Sequence, residues 1–369
     1  MSILKLKIYV VMTAIAISII GCGGNPGAQK EIRVGAILGL SGNSGSLGED
    51  TRNGLQLAID EQNSKGGLLG LKIVLDVQDS KTEGNTGVSI AKQMLESGGN
   101  KPVAIYTQSS VVSMPVKPVA EANRTVMFAI SGADRLLSNS KYVFRNWANP
   151  QTAGKALVAY LGQPLSSKKL GIFFCNNDYG KSMQEYVANS ARAAGMEVVF
   201  ASAFDEKDGD YKSLLADQLS KSNVDAIYTV GLGSGLGILT KQLRASGYAG
   251  NVISDITAPY PDVLNAAGDA AKGMYYLDFA YRNDSTEPAQ RDYHDKFVKA
   301  YGKEPLNFSV VSYEAMRLLF KAIEQANSLD SDKVADELNK IQNFPGVFGA
   351  TSIQNNEVIY SLDVKQVKQ

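Results

Sequence analysis

The chain has 369 residues, enough for two domains of ordinary size. Its 37 basic and 37 acidic residues cancel, which removes the electrostatic case for a nucleic-acid partner. A single histidine leaves a Ser–His–Asp triad or a histidine-rich metal site almost without material.

The first segment differs in character from the rest. Lys5 and Lys7 precede an apolar run from Ile8 to Ile20, followed by Gly21-Cys22. A basic head, an apolar stretch and a small residue before the cut have the order of a secretory signal. The run is shorter than the roughly 20 residues that a membrane-spanning helix needs. Ile19-Ile20-Gly21-Cys22 resembles the lipobox of bacterial lipoproteins. The resemblance implies cleavage before Cys22, a lipid on its sulfur, and an extracytoplasmic protein anchored to a bacterial membrane through that lipid only. Residues 1–21 are then a signal peptide, and residues 22–30, with Gly23-Gly24-Asn25-Pro26-Gly27, a flexible tether. With Cys22 acylated, Cys175 has no intrachain disulfide partner.

From Glu31 onward strands and helices alternate. Strands are expected at Ile32–Leu38, Leu71–Val77, Val103–Tyr106 and Val126–Ile130, with helices at Gly48–Ser64, Val88–Leu95 and Val116–Asn123. The second half repeats the rhythm. Its strands are Leu170–Phe174, Glu197–Phe200, Asp225–Val230 and Asn251–Ser254, and its helices Ser182–Ala194, Tyr211–Ser220 and Gly237–Ser246. Such alternation predicts parallel sheets covered on both faces. The units exceed one comfortable sheet, so two doubly wound α/β lobes are expected, with ligands meeting the carboxyl ends of the strands. Arg145-Asn146-Trp147-Ala148-Asn149-Pro150 has the character of a crossing between lobes, with the proline opening the next helix.

The enzyme motifs fail on spacing. Gly180-Lys181-Ser182 follows a strand as the end of a P-loop would, but a P-loop needs glycine five residues before Gly180, where Cys175 stands. Gly231-Leu232-Gly233-Ser234-Gly235-Leu236-Gly237 lies between a strand and a helix, yet lacks the third glycine of a dinucleotide fingerprint. That turn either lets backbone approach a ligand or serves simple packing. His294 sits among Asp292, Asp295 and Lys296 on a solvated helix, and Cys175 reads as a buried strand residue. No enzyme activity, metal or cofactor is expected.

What remains is a set of small polar loops just past strands. Ser41 to Gly48, Thr107-Gln108-Ser109-Ser110 and Ser131-Gly132-Ala133-Asp134 should converge on one edge of the first lobe. Ser109 and Ser110 start a helix, where free amides and the dipole favour a carboxylate, although capping alone would also explain serine there. Facing them, Tyr179, the Gly231–Gly237 turn and Ser254-Asp255-Ile256 follow strands of the second lobe. Tyr179 can cover an apolar ligand while its hydroxyl stays wet.

The stretch GAILGLSGNSGSLGEDTRNGLQLAIDEQNSKGGLLGLKIVLDVQDSKTEGNTGVSIAKQML closely resembles the start of mature Leu/Ile/Val-type periplasmic binding proteins, the type I solute-binding receptors of ABC importers. KPVAEANRTVMFAISGA, NNDYGKSM, TKQLRASGY, NAAGDAAKGM and VVSYEAMRLLFKAIEQA continue the resemblance in order. It implies two α/β lobes, residues 31–146 plus 278–347 and residues 147–277 plus 348–369. Three crossovers join them, near Arg145–Ala148, Tyr275–Phe279 and Gly346–Gly349, and hinge closure traps a small-molecule ligand for an ABC transporter permease. Ser109 or Ser110 matches the serine that grips a ligand carboxylate in amino-acid binders, Ala133 a ligand-facing carbonyl, and Tyr179 a retained aromatic. Ser131 belongs to the same loop as Ala133. Asp255 approximates the acid that holds the ammonium, although an ungapped count puts Ile256 in register. The sequence departs from the pattern at Leu47, where an aromatic is usual, at Asp134 in place of a hydroxyl, and at Leu232 or Gly233 in place of an aromatic. Trp147 either walls the cleft or packs at the crossover. An aspartate at 134 beside a ligand carboxylate would repel it. The ligand expected is an aliphatic, branched-chain amino acid, with an amide, amine or aromatic acid suiting Asp134 better. A ligand sensor of the same fold, signalling to a partner protein, is the other function the resemblance allows.

Overall fold

The computed structural model describes residues 31–42 and 45–368, so the signal, tether and lipidation readings on residues 1–30 lie outside the described residues. The chain builds two sheets. The first runs through β1 (Glu31–Leu38), β2 (Lys72–Asp79), β3 (Ala104–Gln108), β4 (Val126–Ile130), β5 (Val143–Arg145), β11 (Phe344–Gly346), β12 (Gly349–Gln354) and β13 (Glu357–Ile359). Their spatial order is β11-β12-β13-β5-β4-β3-β1-β2. The second sheet has β6 (Lys169–Cys175), β7 (Glu197–Phe204), β8 (Ala226–Val230), β9 (Asn251–Ser254), β10 (Tyr275–Phe279) and β14 (Leu362–Gln366), in the order β14-β10-β9-β8-β6-β7.

The central strands are parallel, and their five-residue runs AIYTQ, VMFAI and AIYTV are buried throughout, as sheets covered on both faces require. Helices α1 (Gly45–Ser64), α2 (Gly84–Glu96) and α3 (Ser110–Ala122) cover the first sheet together with α9 (Pro288–Tyr301), α10 (Asn307–Ala326) and α11 (Ser331–Leu338). The second is covered by α4 (Pro150–Gly162), α5 (Asp178–Ala193), α6 (Lys212–Ser220), α7 (Gly233–Ala245) and α8 (Pro261–Ala267). Two α/β lobes result, as expected from the alternation. Pro150 does open α4, behind an Asn149 side chain that accepts from the amides of Gln151 and Thr152 at 2.9 and 3.2 Å.

The crossings differ from expectation at one place. Residues 344–359 pair within the first sheet, and only β14 returns to the second, so the third crossing falls at Tyr360–Ser361 rather than near Gly346–Gly349. The reason is a β-meander, β11-β12-β13, whose short antiparallel strands carry no helical period to announce a sheet. All three crossings meet in one knot. Asn146 donates to Val311 O at 3.0 Å, and its Oδ1 accepts from Tyr360 at 2.6 Å. Trp147 lies edge-on to Phe279 at 5.1 Å, and Phe279 edge-on to Tyr360 at 5.2 Å.

β14 is the antiparallel margin of the second lobe. It is tied to β10 by Lys365, whose ammonium lies 2.6 Å from Asp278 and donates to Tyr281 O at 2.6 Å.

Candidate functional site

Strand ends of both lobes converge on a cleft with about 400 Å³ of space between protein atoms, part of it open to solvent. From the first lobe come Leu47 on α1, Thr82 before α2, Gln108, Ser109 and Ser110 at the junction of β3 and α3, Ile130 at the end of β4 with Ser131 and Gly132 just past it, and Phe308 on α10. Trp147 lines it at the first crossing, and Tyr179, Leu232 and Thr257 line it from the second lobe. No ionisable acid and no cation is among these lining residues.

The β3–α3 junction is the most constrained part. Ser109 has φ +73°, a left-handed conformation that costs strain for a residue with a Cβ. Its hydroxyl accepts from Val111 N at 3.3 Å and caps α3. Ser110 Oγ lies 2.9 Å from Ser131 Oγ, which ties the β3 and β4 loops together under the cavity. Arg145, almost wholly buried, holds that second loop from behind by donating to Ser131 O at 2.9 Å and Asp134 O at 3.2 Å, with its Nε 3.3 Å from Glu357.

The second lobe brings Tyr179 in the first turn of α5, where Asn177 accepts from Gly180 N at 3.0 Å. A Cβ on Gly180 would lie 2.0 Å from Cys175 O, so this glycine exists for the close strand-to-helix turn and not for a phosphate. Tyr179 donates to Asp255, whose other oxygen accepts from Thr257 N at 3.0 Å and lies 2.6 Å from Thr257 Oγ1. Burial pushes the Asp255 carboxyl up to about 6 against the pull of these donors. Burial also raises Glu206, which accepts from Leu232 N beside it, to about 7, and holds the Cys175 thiol well above its ordinary value.

Of the residues singled out in the sequence, Leu47, Ser109, Ser110, Ser131, Trp147 and Tyr179 line the cavity. Four others are placed elsewhere. Asp134 begins a 3-10 turn that points outward; its Oδ1 accepts from Tyr186 at 2.7 Å and its amide donates to Ser182 at 3.0 Å, so it faces α5 and not the cavity. The Ala133 carbonyl is taken by Leu136 N at 3.2 Å in the same turn. Asp255 sits behind Tyr179 and Thr257, 1% exposed, one layer out. Gly233 has φ +59° and starts α7, while Gly235 and Gly237 would collide with Glu206 O and Val263 O at 2.3 Å if they carried a Cβ. That glycine turn therefore serves packing, and only Leu232 reaches the cavity. The sequence reading passed over Thr82, Ile130, Thr257 and Phe308, and it treated Gln108 and Gly132 only as parts of polar loops. His294 lies on exposed α9 between Asp295 at 3.1 Å and Glu304 at 2.8 Å, remote in chemistry from this site.

The lobes touch directly around the cavity. Gly132 abuts the Tyr179 ring, Asp134 meets Ser182 and Tyr186, and Ser46 donates to Asp262. Tyr260 of the second lobe reaches between α1 and α10, donating to Asp50 at 3.0 Å and accepting from Phe308 N at 2.8 Å. Asp50 also accepts from Ser309 N at 2.8 Å, and burial raises its carboxyl to about 6.

The profile of the family described as periplasmic binding protein matches residues 31–369. The Leu/Ile/Val-binding protein BraC3 of Rhizobium johnstonii is 27% identical over 327 residues, 88% of each chain. The solved leucine-binding protein LivK of Thermotoga maritima shares 25% identity at a TM-score of 0.85, over 92% of this chain and 96% of that one. A solute-binding protein of an ABC transporter from R. palustris, solved in complex with benzoate, shares 21% identity at a TM-score of 0.82, over 92% and 93%. Proteins of this family are extracytoplasmic, bind small molecules and work with ABC transporter permeases; they are not enzymes. A match spanning the whole folded region agrees with the two-lobed architecture, and the chain belongs to the type I periplasmic binding proteins of the Leu/Ile/Val-binding kind.

Proposed function

We propose that this chain is the receptor of an ABC importer, closing over one small amino-acid-like solute whose carboxylate meets the β3–α3 junction and whose apolar body fills the rest of the cavity. The observation that carries the reading is a cavity walled by both lobes, polar at one helix start and apolar at Leu47, Ile130, Trp147, Leu232 and Phe308. A ligand there bridges the lobes, stabilises their contact and so shifts the hinge population toward the closed form that a permease recognises. Solutes of the size of leucine fit this description, and aliphatic amino acids of the branched-chain class are the first to try. Benzoate, with which one structural neighbour was solved in complex, shares the same two features of carboxylate and apolar body. The test is a thermal-shift screen of the purified protein against aliphatic amino acids and small carboxylates. A binder at 100-fold over its Kd adds about 2.7 kcal/mol of stability, enough for a visible rise in Tm. Absence of any shift across both classes would overturn the proposal.

We also propose that Cys22 carries the lipid that holds this receptor at a membrane, on the strength of its place after Ile19-Ile20-Gly21. Cys22→Ala is expected to release the protein from the membrane fraction and to abolish palmitate labelling; labelling that persists would remove Cys22 from that role.

A further inference from the structure

Gln108 closes β3 with its side chain 4% exposed. Its Oε1 accepts from Gly39 N at 3.2 Å. A backbone N–H can only donate, so this bond fixes which way the amide faces, and Nε2 is left with two hydrogens to place. Nε2 has no partner among the described residues, and Gln108 lines the cavity. The thirteen-residue helix α3 starts two residues later, so its positive end borders the same space. One part of the cavity wall therefore offers a fixed donor, unpartnered among the described residues, beside a helix start.

No carboxylate in the wall answers a positive charge. Asp255, bonded to two lining residues, spends one oxygen on Thr257 and the other on Tyr179. Glu206 is turned to Leu232 N and to Asn177, 3.4 Å away, and Asp134 to α5. A ligand ammonium in the closed cleft would have to break Asp255 away from those partners or make do with neutral hydroxyls and aromatic faces and no counter-charge, which is unfavourable for a full charge out of water.

Resting on the cavity being the ligand site, but departing from the amino-acid class named first above, we infer that it selects an apolar carboxylate that carries no ammonium group, and that Gln108 is the specificity-determining donor to that carboxylate. The pair that separates the classes is L-leucine and 4-methylpentanoate, which share the branched skeleton and the carboxylate and differ in the α-amino group. In calorimetric titration of the purified protein, 4-methylpentanoate is expected to bind at least tenfold more tightly than L-leucine. Gln108→Glu keeps the acceptor for Gly39 and the side-chain shape but turns the donor into an anion. That variant is expected to lose at least tenfold for 4-methylpentanoate while holding or gaining affinity for 4-methylpentanamide, whose NH2 can donate to the new carboxylate. Retained amide binding would show that the variant is folded. L-leucine binding tenfold more tightly than 4-methylpentanoate would overturn the inference and leave the receptor reading standing. A Gln108→Glu protein that binds 4-methylpentanoate as well as the parent would overturn the role of Gln108. No heat with L-leucine, 4-methylpentanoate or benzoate would sink the carboxylate reading of the cavity itself, and the inference with it.

Discussion

Gly132 is the residue on which closure has least room. A Cβ there would lie 2.6 Å from two ring carbons of Tyr179 on the opposite lobe, a separation that real carbon atoms do not adopt. Gly132→Ala is therefore expected to hold the lobes apart or turn Tyr179 away. Ligand affinity should fall at least tenfold, about 1.4 kcal/mol, while the Tm of the ligand-free protein barely moves. Titration beside calorimetry checks this, and unchanged affinity would mean that Tyr179 yields freely. At this scale the sequence brought the serines and Tyr179 into view, because several small hydroxyl loops past strands of one lobe faced an aromatic at a helix start of the other. It misassigned Asp134 because the direction of a single 3-10 turn decides which lobe its carboxylate sees. Gln108 was in view as a loop residue, but only the folded position of Gly39 orients its amide. Phe308 arrives from a helix far along the chain, and no local pattern places it beside Trp147 at 4.6 Å.

Among the elements, α10 and the β11–β12 hairpin depend on one carboxylate. Glu314 is fully buried; it accepts from Thr351 Oγ1 at 2.7 Å and Val347 N at 3.2 Å, with Arg317 3.3 Å away. Removing it leaves a buried amide and hydroxyl unpaired, so Glu314→Ala is expected to cost about 2–3 kcal/mol. Denaturant unfolding measures this, and a loss under about 0.5 kcal/mol would show that water replaces the carboxylate. The parallel strands between helices were legible because continuous apolar runs such as VMFAI have no other home in a chain of this kind. Helix starts were read late, by three residues at α1 and by four at α2, because glycines in the first turns hide the apolar period. The hairpin was not legible at all: PG and GATSIQ are held by α10, not by their own propensity.

The whole molecule carries a pH signature from its buried acids. Burial raises Asp50 and Asp255 to about 6 from an ordinary value of 3.8. Between about pH 4 and about pH 6 the folded chain therefore holds protons that the unfolded chain has released, so stability from these two groups falls as pH rises through that window. Lowering pH from 7 to 5 is expected to stabilise the parent protein more than the Asp50→Asn, Asp255→Asn double variant. Tm against pH for both proteins checks it, and parallel profiles would remove these carboxyls as the source. Asp50 adds a second reading, since its partner Tyr260 belongs to the other lobe: the same protonation acts on a bond between the lobes.

The strand LDVKQ at the margin of the second lobe has a consequence for anyone who shortens or tags this protein. β14 presents Asp363 and Lys365 along an otherwise open margin, and the charges discourage another chain from adding itself there. A product ending at Tyr360 would uncover YYLDF of β10 instead, an apolar ribbon edge with Asp278 stripped of Lys365. Light scattering of such a product is expected to show self-association absent from the parent, so a reporter fused behind Gln366 keeps the guard that one spliced in before Leu362 would discard.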